Sequence, residues 1–117
     1  MIEDEPANRT TLAELLRSAG HAVLEAENAE QGLGLLDEYR INLIILDFIL
    51  PDMNGLQFIG CIRQRLPKIP IILISGYMSQ RAGDAILGAS EERTKYFAKP
   101  VRPTALELMV QTMLSAH

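Results

Sequence analysis

Four short apolar runs punctuate this chain, and each leads into a polar residue able to do chemistry. Met1-Ile2 lead into Glu3-Asp4, Leu43-Ile44-Ile45-Leu46 into Asp47, Ile71-Ile72-Leu73-Ile74 into Ser75, and Tyr96-Phe97-Ala98 into Lys99. Apolar runs of this length, with helical patterns between them, read as strands buried on both faces of a parallel sheet. Pro6 opens a first helix carrying Leu12, Leu15, Leu16 and Ala19, and Gly20 stops it. His21 to Ala26 reads as a second strand, and Asn28 with Gln31 resembles a capping box opening a helix to about Tyr39. Leu43 to Phe48 is the third strand, and the cluster from Pro51 to Gly55 is a turn. Leu56, Ile59, Ile62 and Leu66 mark a third helix, closed before Pro67, and Ile71 to Ser75 is the fourth strand. Ser79 to about Ala89 reads as a fourth helix containing Gly83 and Gly88, Tyr96 to Ala98 as the fifth strand, and Pro103 opens a fifth helix.

Five strands alternating with five helices predict an α/β domain, a doubly wound parallel sheet with helices on both faces. The opening run is the exception, because only Met1 and Ile2 precede the acidic pair. A central strand commonly needs about five residues. The first strand therefore reads as truncated, whether the chain extends upstream or the sheet is clipped, and a clipped strand invites strand exchange between chains.

The 117 residues suit a single domain, residues 1–117, with one real core. A net charge of −4 argues against direct nucleic acid binding, which rests on neutralising phosphates. No apolar run approaches the length of a membrane span, and the acidic opening is unlike a signal peptide, so a cytoplasmic location is expected. Cys61 is the single cysteine, which excludes an internal disulfide and reads as a core or boundary residue.

Ligands bind outside the carboxyl ends of the strands in an open α/β sheet. That edge should gather Glu3, Asp4, Asp47, Ser75 and Lys99. Taken singly, each has an ordinary reading: a solvated acidic segment, a turn aspartate, a turn serine before Gly76, a surface lysine before Pro100. Together they are far harder to explain that way. Three carboxylates packed side by side repel one another and call for a hard cation, for which Mg2+ is the natural choice. With Mg2+ and Lys99 offsetting charge, a phosphoryl donor can approach, and an Asp carboxylate can act as nucleophile to form an acyl phosphate.

Ile2-Glu3-Asp4-Glu5-Pro6, Leu43 to Asp47, Leu50-Pro51-Asp52-Met53-Asn54-Gly55, Ile72 to Gly76 and Tyr96 to Pro100, in this order and spacing, resemble the receiver domain of two-component response regulators, including receivers fused to hybrid histidine kinases. The resemblance implies a flavodoxin-like five-stranded sheet of order 2-1-3-4-5. It implies that Asp47 is the phosphoacceptor, and that Asp4, Asp47 and the Ile49 backbone carbonyl bind Mg2+, with Glu3 acting through water. Lys99 would contact the phosphoryl group, and the Lys99–Pro100 peptide would be cis. Ser75 and Tyr96 match the hydroxyl and aromatic switch pair, with Tyr96 turning inward on phosphorylation. That movement would remodel the face made by the fourth helix, fifth strand and fifth helix.

The implied phosphodonor is a histidine kinase or a histidine phosphotransfer protein. The output partner is not readable, and self-association would run through the same switch face or through strand exchange. Ile49 and Tyr77, each two residues past a site residue, are placed to shield an acyl phosphate, so slow self-dephosphorylation is expected. The charged, Gly-containing stretch from Gly83 to Lys95 predicts a short or mobile fourth helix. Two other functions compete. One is a phosphate-independent protein-interaction module on the same fold. The other is an Asp-nucleophile phosphohydrolase, disfavoured because Ile49 stands where such enzymes commonly carry a second Asp.

Overall fold

The structure is a computed structural model that describes residues 1–3, 5–76 and 93–115. Among the described residues three strands form the sheet: β1 (Ile44–Asp47), β2 (Ile71–Ser75) and β3 (Thr94–Ala98), hydrogen-bonded in that order. Both pairings are parallel, with Ile44 opposite Ile71 and Ile71 opposite Thr94. Every residue of β1 and β2 is buried, as an apolar strand covered on both faces requires.

On the free side of β1 the chain continues the parallel pattern one residue deep. Ile2 bridges Leu46 on one side and Ala26 on the other. Its N–H donates to the Ile45 carbonyl at 2.8 Å, and its own carbonyl accepts from Asp47 N at 3.0 Å. The expected strand from His21 to Ala26 is thereby corrected: only Ala26 enters a bridge. An apolar run becomes a ladder only where a neighbour runs alongside it, and here Ile2 alone is bridged to it. Where five strands in the order 2-1-3-4-5 were expected, the described residues form three strands, β1-β2-β3, and two isolated parallel bridges at Ile2.

Four helices flank the sheet among the described residues: α1 (Pro6–Ser18), α2 (Ala29–Glu38), α3 (Gly55–Arg65) and α4 (Pro103–Ser115). The last is the fifth helix of the sequence reading. The expected helix from Ser79 to Ala89 lies outside the described residues, as does His117. Side-chain alternation splits the core in two. Ile44, Leu46, Ile71, Leu73 and Tyr96 pack with Phe58, Ile59 and Ile62 of α3 and Ala29 of α2. Ile45, Ile72 and Ile74 pack on the other face with Leu16 of α1 and Leu106, Val110 and Met113 of α4. Cys61 borders the first of these cores.

Local chemistry sets the element ends. Gly20 follows α1 with φ +98°, a left-handed position that favours glycine. Asn28 caps α2 by accepting from Gln31 N at 2.8 Å, but the Gln31 side chain accepts from Glu27 N rather than from Asn28. The reciprocal capping box belongs instead to α3, between Asn54 and Gln57. Gly55, the first residue of α3, sits where a Cβ would stand 2.9 Å from the Phe48 Cα and 2.7 Å from Leu73 Cδ1. That close approach lets α3 start directly beneath the end of β1. β3 begins two residues earlier than expected, at Thr94. Buried Thr94 and Tyr96 alternate with exposed Lys95, a polar-outward pattern that a search for continuous apolar runs passes over.

Candidate functional site

Parallel strands end together, so the polar residues that follow them converge. Glu3 follows the bridged Ile2, Asp47 closes β1, and Lys99 follows β3 by one residue. Lys99 Nζ lies 2.9 Å from Asp47 Oδ2 and 3.4 Å from Glu3 Oε1. Both carboxylates are buried and the lysine is about a third exposed, so the cluster opens to solvent on the lysine side. Lys99 N donates to the Ser75 carbonyl at 2.9 Å, which fixes the lysine's backbone to the end of β2. The Lys99–Pro100 peptide is cis.

The charges in this cluster perturb one another. Burial pushes the Glu3 carboxyl upward, and the hydrogen-bonded, charged Asp47 pushes it further, to about 7, against the opposing pull of Lys99. Burial alone would lower the Lys99 ammonium, but the hydrogen bond and charge of Asp47, then those of Glu3, outweigh it and hold the lysine above its ordinary value. Glu3 Oε2 is buried with no hydrogen-bond partner among the described residues. A buried, unpartnered carboxylate oxygen beside a second carboxylate is a poor arrangement for protein alone and a good one for a cation.

The other predicted residues fall as follows. The Ile49 N–H donates to Asp47 Oδ1 at 3.3 Å, and the Ile49 side chain is exposed. Ser75 is buried at the end of β2, on the sheet face of Leu73 and Tyr96. Tyr96 is buried too, its hydroxyl donating to the Ser75 carbonyl at 3.1 Å. Its ring therefore already stands inward in this structure. Asp4 and Tyr77 lie outside the described residues.

Two contributors escaped the sequence reading. Arg9, one turn into α1, donates from Nη1 to the Glu3 carbonyl at 2.8 Å and pairs with Glu25 at 3.4 Å, tying the acidic segment to the helix behind it. Asp52, read only as a turn residue, accepts from Ala29 N and Glu30 N at 3.0 Å each. The signal for Arg9 was present: a cation one helical turn past an acidic segment can reach back to it. No local pattern announces Asp52, whose partners lie 22 and 23 residues away.

Residues 1–111 match the family described as response regulator receiver domain. This chain belongs to that family. The receiver domain is 36% identical over 114 residues to the transcriptional regulatory protein AfsQ1 of Streptomyces coelicolor, covering 97% of this chain and 49% of that protein. It is 31% identical to the aerobic respiration control protein ArcA of Escherichia coli, over 98% of this chain and 47% of ArcA. The chain thus spans about half the length of these relatives. Among solved structures, the receiver domain from the hybrid histidine kinase CckA is 32% identical with a TM-score of 0.80, covering 97% of this chain and 94% of that one. A CheY-like response regulator receiver domain protein from Methanospirillum hungatei superposes with a TM-score of 0.85 at 27% identity, covering 97% of this chain and 90% of that one. A Francisella receiver domain at 18% identity and a TM-score of 0.86, over 97% of this chain and 93% of that one, shares the fold. No helix among the described residues is long and apolar enough to cross a membrane.

Proposed function

We propose that residues 1–117 act as one phosphoacceptor receiver domain, and that Asp47 takes a phosphoryl group from a phosphohistidine on a histidine kinase or a histidine phosphotransfer protein. The observation that carries this reading is the meeting of Asp47 with Lys99 at 2.9 Å, beside the buried Glu3, at the carboxyl end of the sheet. Family membership supports it. A cytoplasmic location goes with the reading, since the donor's phosphohistidine must reach Asp47.

Glu3, Asp47 and the Ile49 carbonyl, with Asp4 of the same acidic segment, are the oxygen donors that would hold Mg2+, and the orphaned Glu3 Oε2 fits that role. When bound, Mg2+ supplies positive charge against both the carboxylates and the phosphoryl oxygens. The steps belong to the chain's own residues. An Asp47 carboxylate oxygen forms the new O–P bond as the donor's N–P bond breaks, and the electron pair leaves with the imidazole nitrogen. Lys99, already beside Asp47, is placed to pair with the transferred group. The Ser75 hydroxyl is one strand away, and its movement toward a phosphoryl oxygen, with Tyr96 behind it, would carry the change to the face around β3 and α4. Ile49, two residues past Asp47, carries an exposed apolar side chain that would shield an acyl phosphate from water, so loss of the phosphoryl group should be slow.

Beryllofluoride with Mg2+, a phosphoryl mimic, tests this reading in solution. Amide NMR shifts around Asp47, Ser75 and Tyr96 in the wild type, and none in Asp47→Asn, are expected. A silent wild type would overturn the reading and leave the phosphate-independent interaction module in its place.

A further inference from the structure

Two of the three chain segments that build the pocket, the one entering Glu3 and the loop after β1, are far apart in sequence, and α2 touches both. On one side, Gly32 lies so close to Ile2, the residue that leads into Glu3, that a Cβ there would stand 2.5 Å from Ile2 Cδ1. On the other, the first turn of α2 grips the loop that follows β1. Ala29 N donates to Asp52 Oδ1 and Glu30 N to Asp52 Oδ2, both at 3.0 Å. Asn28 of the same helix end receives Gln31 N through its own side chain. Three amides that a helix start would leave unpaired are thus divided between a local cap and a distant carboxylate.

The loop held in this way is itself a closed unit. Ile49 and Asn54 form an antiparallel bridge, Leu50 N donates to the Met53 carbonyl at 3.3 Å, and Gly55 N donates to the Phe48 carbonyl. Asp52 stands at its tip. These bonds link the tip to Ile49, so holding the tip against α2 restrains Ile49, whose N–H already meets Asp47 Oδ1. A carboxylate suits the task better than an amide, because both oxygens accept and its negative charge complements the helix N-terminus.

We propose that Asp52 is a positioning residue for the divalent-ion site: by clasping the first turn of α2, it holds the Ile49 carbonyl where Mg2+ needs it. The inference rests on the functional reading above. Asp52 itself touches neither metal nor phosphoryl group. The clasp acts through loop placement, so its loss shows in Mg2+ affinity and in the Ile49 region, beyond any effect on helix stability. It also makes α2 the brace that keeps the Glu3 segment and the Ile49 loop at a fixed separation.

The test is Mg2+ titration by calorimetry, at fixed pH and ionic strength, on wild type, Asp52→Ala, Asp52→Asn and Asn28→Ala. Asn28→Ala removes a cap from the same helix end without touching the loop, so it controls for simple loss of helix stability. Asp52→Ala is expected to weaken Mg2+ binding about 10-fold, the low end for groups that act from outside the ligand shell. Asp52→Asn, which keeps one acceptor oxygen, should fall between it and wild type, and should decide the matter if the alanine variant does not fold. Asn28→Ala should bind Mg2+ as wild type does while melting earlier. Equal Mg2+ affinity in wild type and the Asp52 variants would overturn the positioning role and leave the functional reading intact, as would equal weakening by Asn28→Ala. A wild type that takes up no Mg2+ would instead bring down the functional reading and this inference together.

Discussion

Replacing Glu3 by Gln removes one of two carboxylates that the fold presses together, and the effect should depend on pH in a defined direction. The Glu3 carboxyl rises from an ordinary value of 4.5 to about 7, so the folded chain binds this proton more tightly than the unfolded chain does. Its contribution is complete below about pH 4.5 and is lost as pH climbs through about 7, where the folded state must carry an ionised Glu3 beside Asp47. At about 1.4 kcal/mol per pH unit, that span sets a ceiling of roughly 3 kcal/mol. Solvent enters on the side of Lys99, so we take about 1–2 kcal/mol after screening.

The assay is urea unfolding in a metal chelator between about pH 5 and pH 8 on wild type and Glu3→Gln, with the difference between the two reported at each pH so that titrating groups outside the cluster cancel. Gln is neutral throughout, so the variant should gain about 1–2 kcal/mol over wild type as pH rises across that window. Saturating Mg2+ should shrink the gain, because the cation supplies the charge that the proton otherwise supplies. A difference that stays flat, or that moves in favour of wild type as pH rises in chelator, would refute the electrostatic account of the pocket.

Two further substitutions test the scaffold. Gly55→Ala places a methyl group 2.9 Å from the Phe48 backbone, so overpacking of about 1–3 kcal/mol should outweigh the helix-propensity gain of up to about 1 kcal/mol; an unchanged urea midpoint would show that the loop after β1 can give way. Tyr96→Phe removes the hydrogen bond to the Ser75 carbonyl, which keeps its bond from Lys99 N, so a loss near 1 kcal/mol is expected with Mg2+ affinity unaltered. A changed Mg2+ affinity would mean that Tyr96 reaches the pocket in the resting state.

Legibility followed physical range. β1 and β2 were readable because strands buried on both faces must be apolar without a break, and Ile44–Leu46 and Ile71–Ile74 are. The meeting of Glu3, Asp47 and Lys99 was readable one level up, since parallel strands deliver their carboxyl ends to one edge. Failures came where a residue depends on a partner that the local sequence does not name. His21 to Ala26 has strand composition but pairs only at Ala26. Thr94 and Lys95 belong to β3 because Ile71 and Ile72 lie beside them, not because their own stretch is apolar. Asn54, which forms the capping box with Gln57, sits in a cluster that reads equally well as a turn. Asp52 is the extreme case, a loop residue whose role is set by a helix formed well before it in the chain.

The central claim is that this pocket drives phosphoryl transfer to Asp47. Intact-mass measurement after exposure to a small-molecule phosphodonor tests it most directly. The account predicts a gain of one phosphoryl group on wild type that requires Mg2+ and disappears in Asp47→Asn. Uptake by Asp47→Asn equal to wild type, or no uptake by a folded wild type with Mg2+ present, would contradict it.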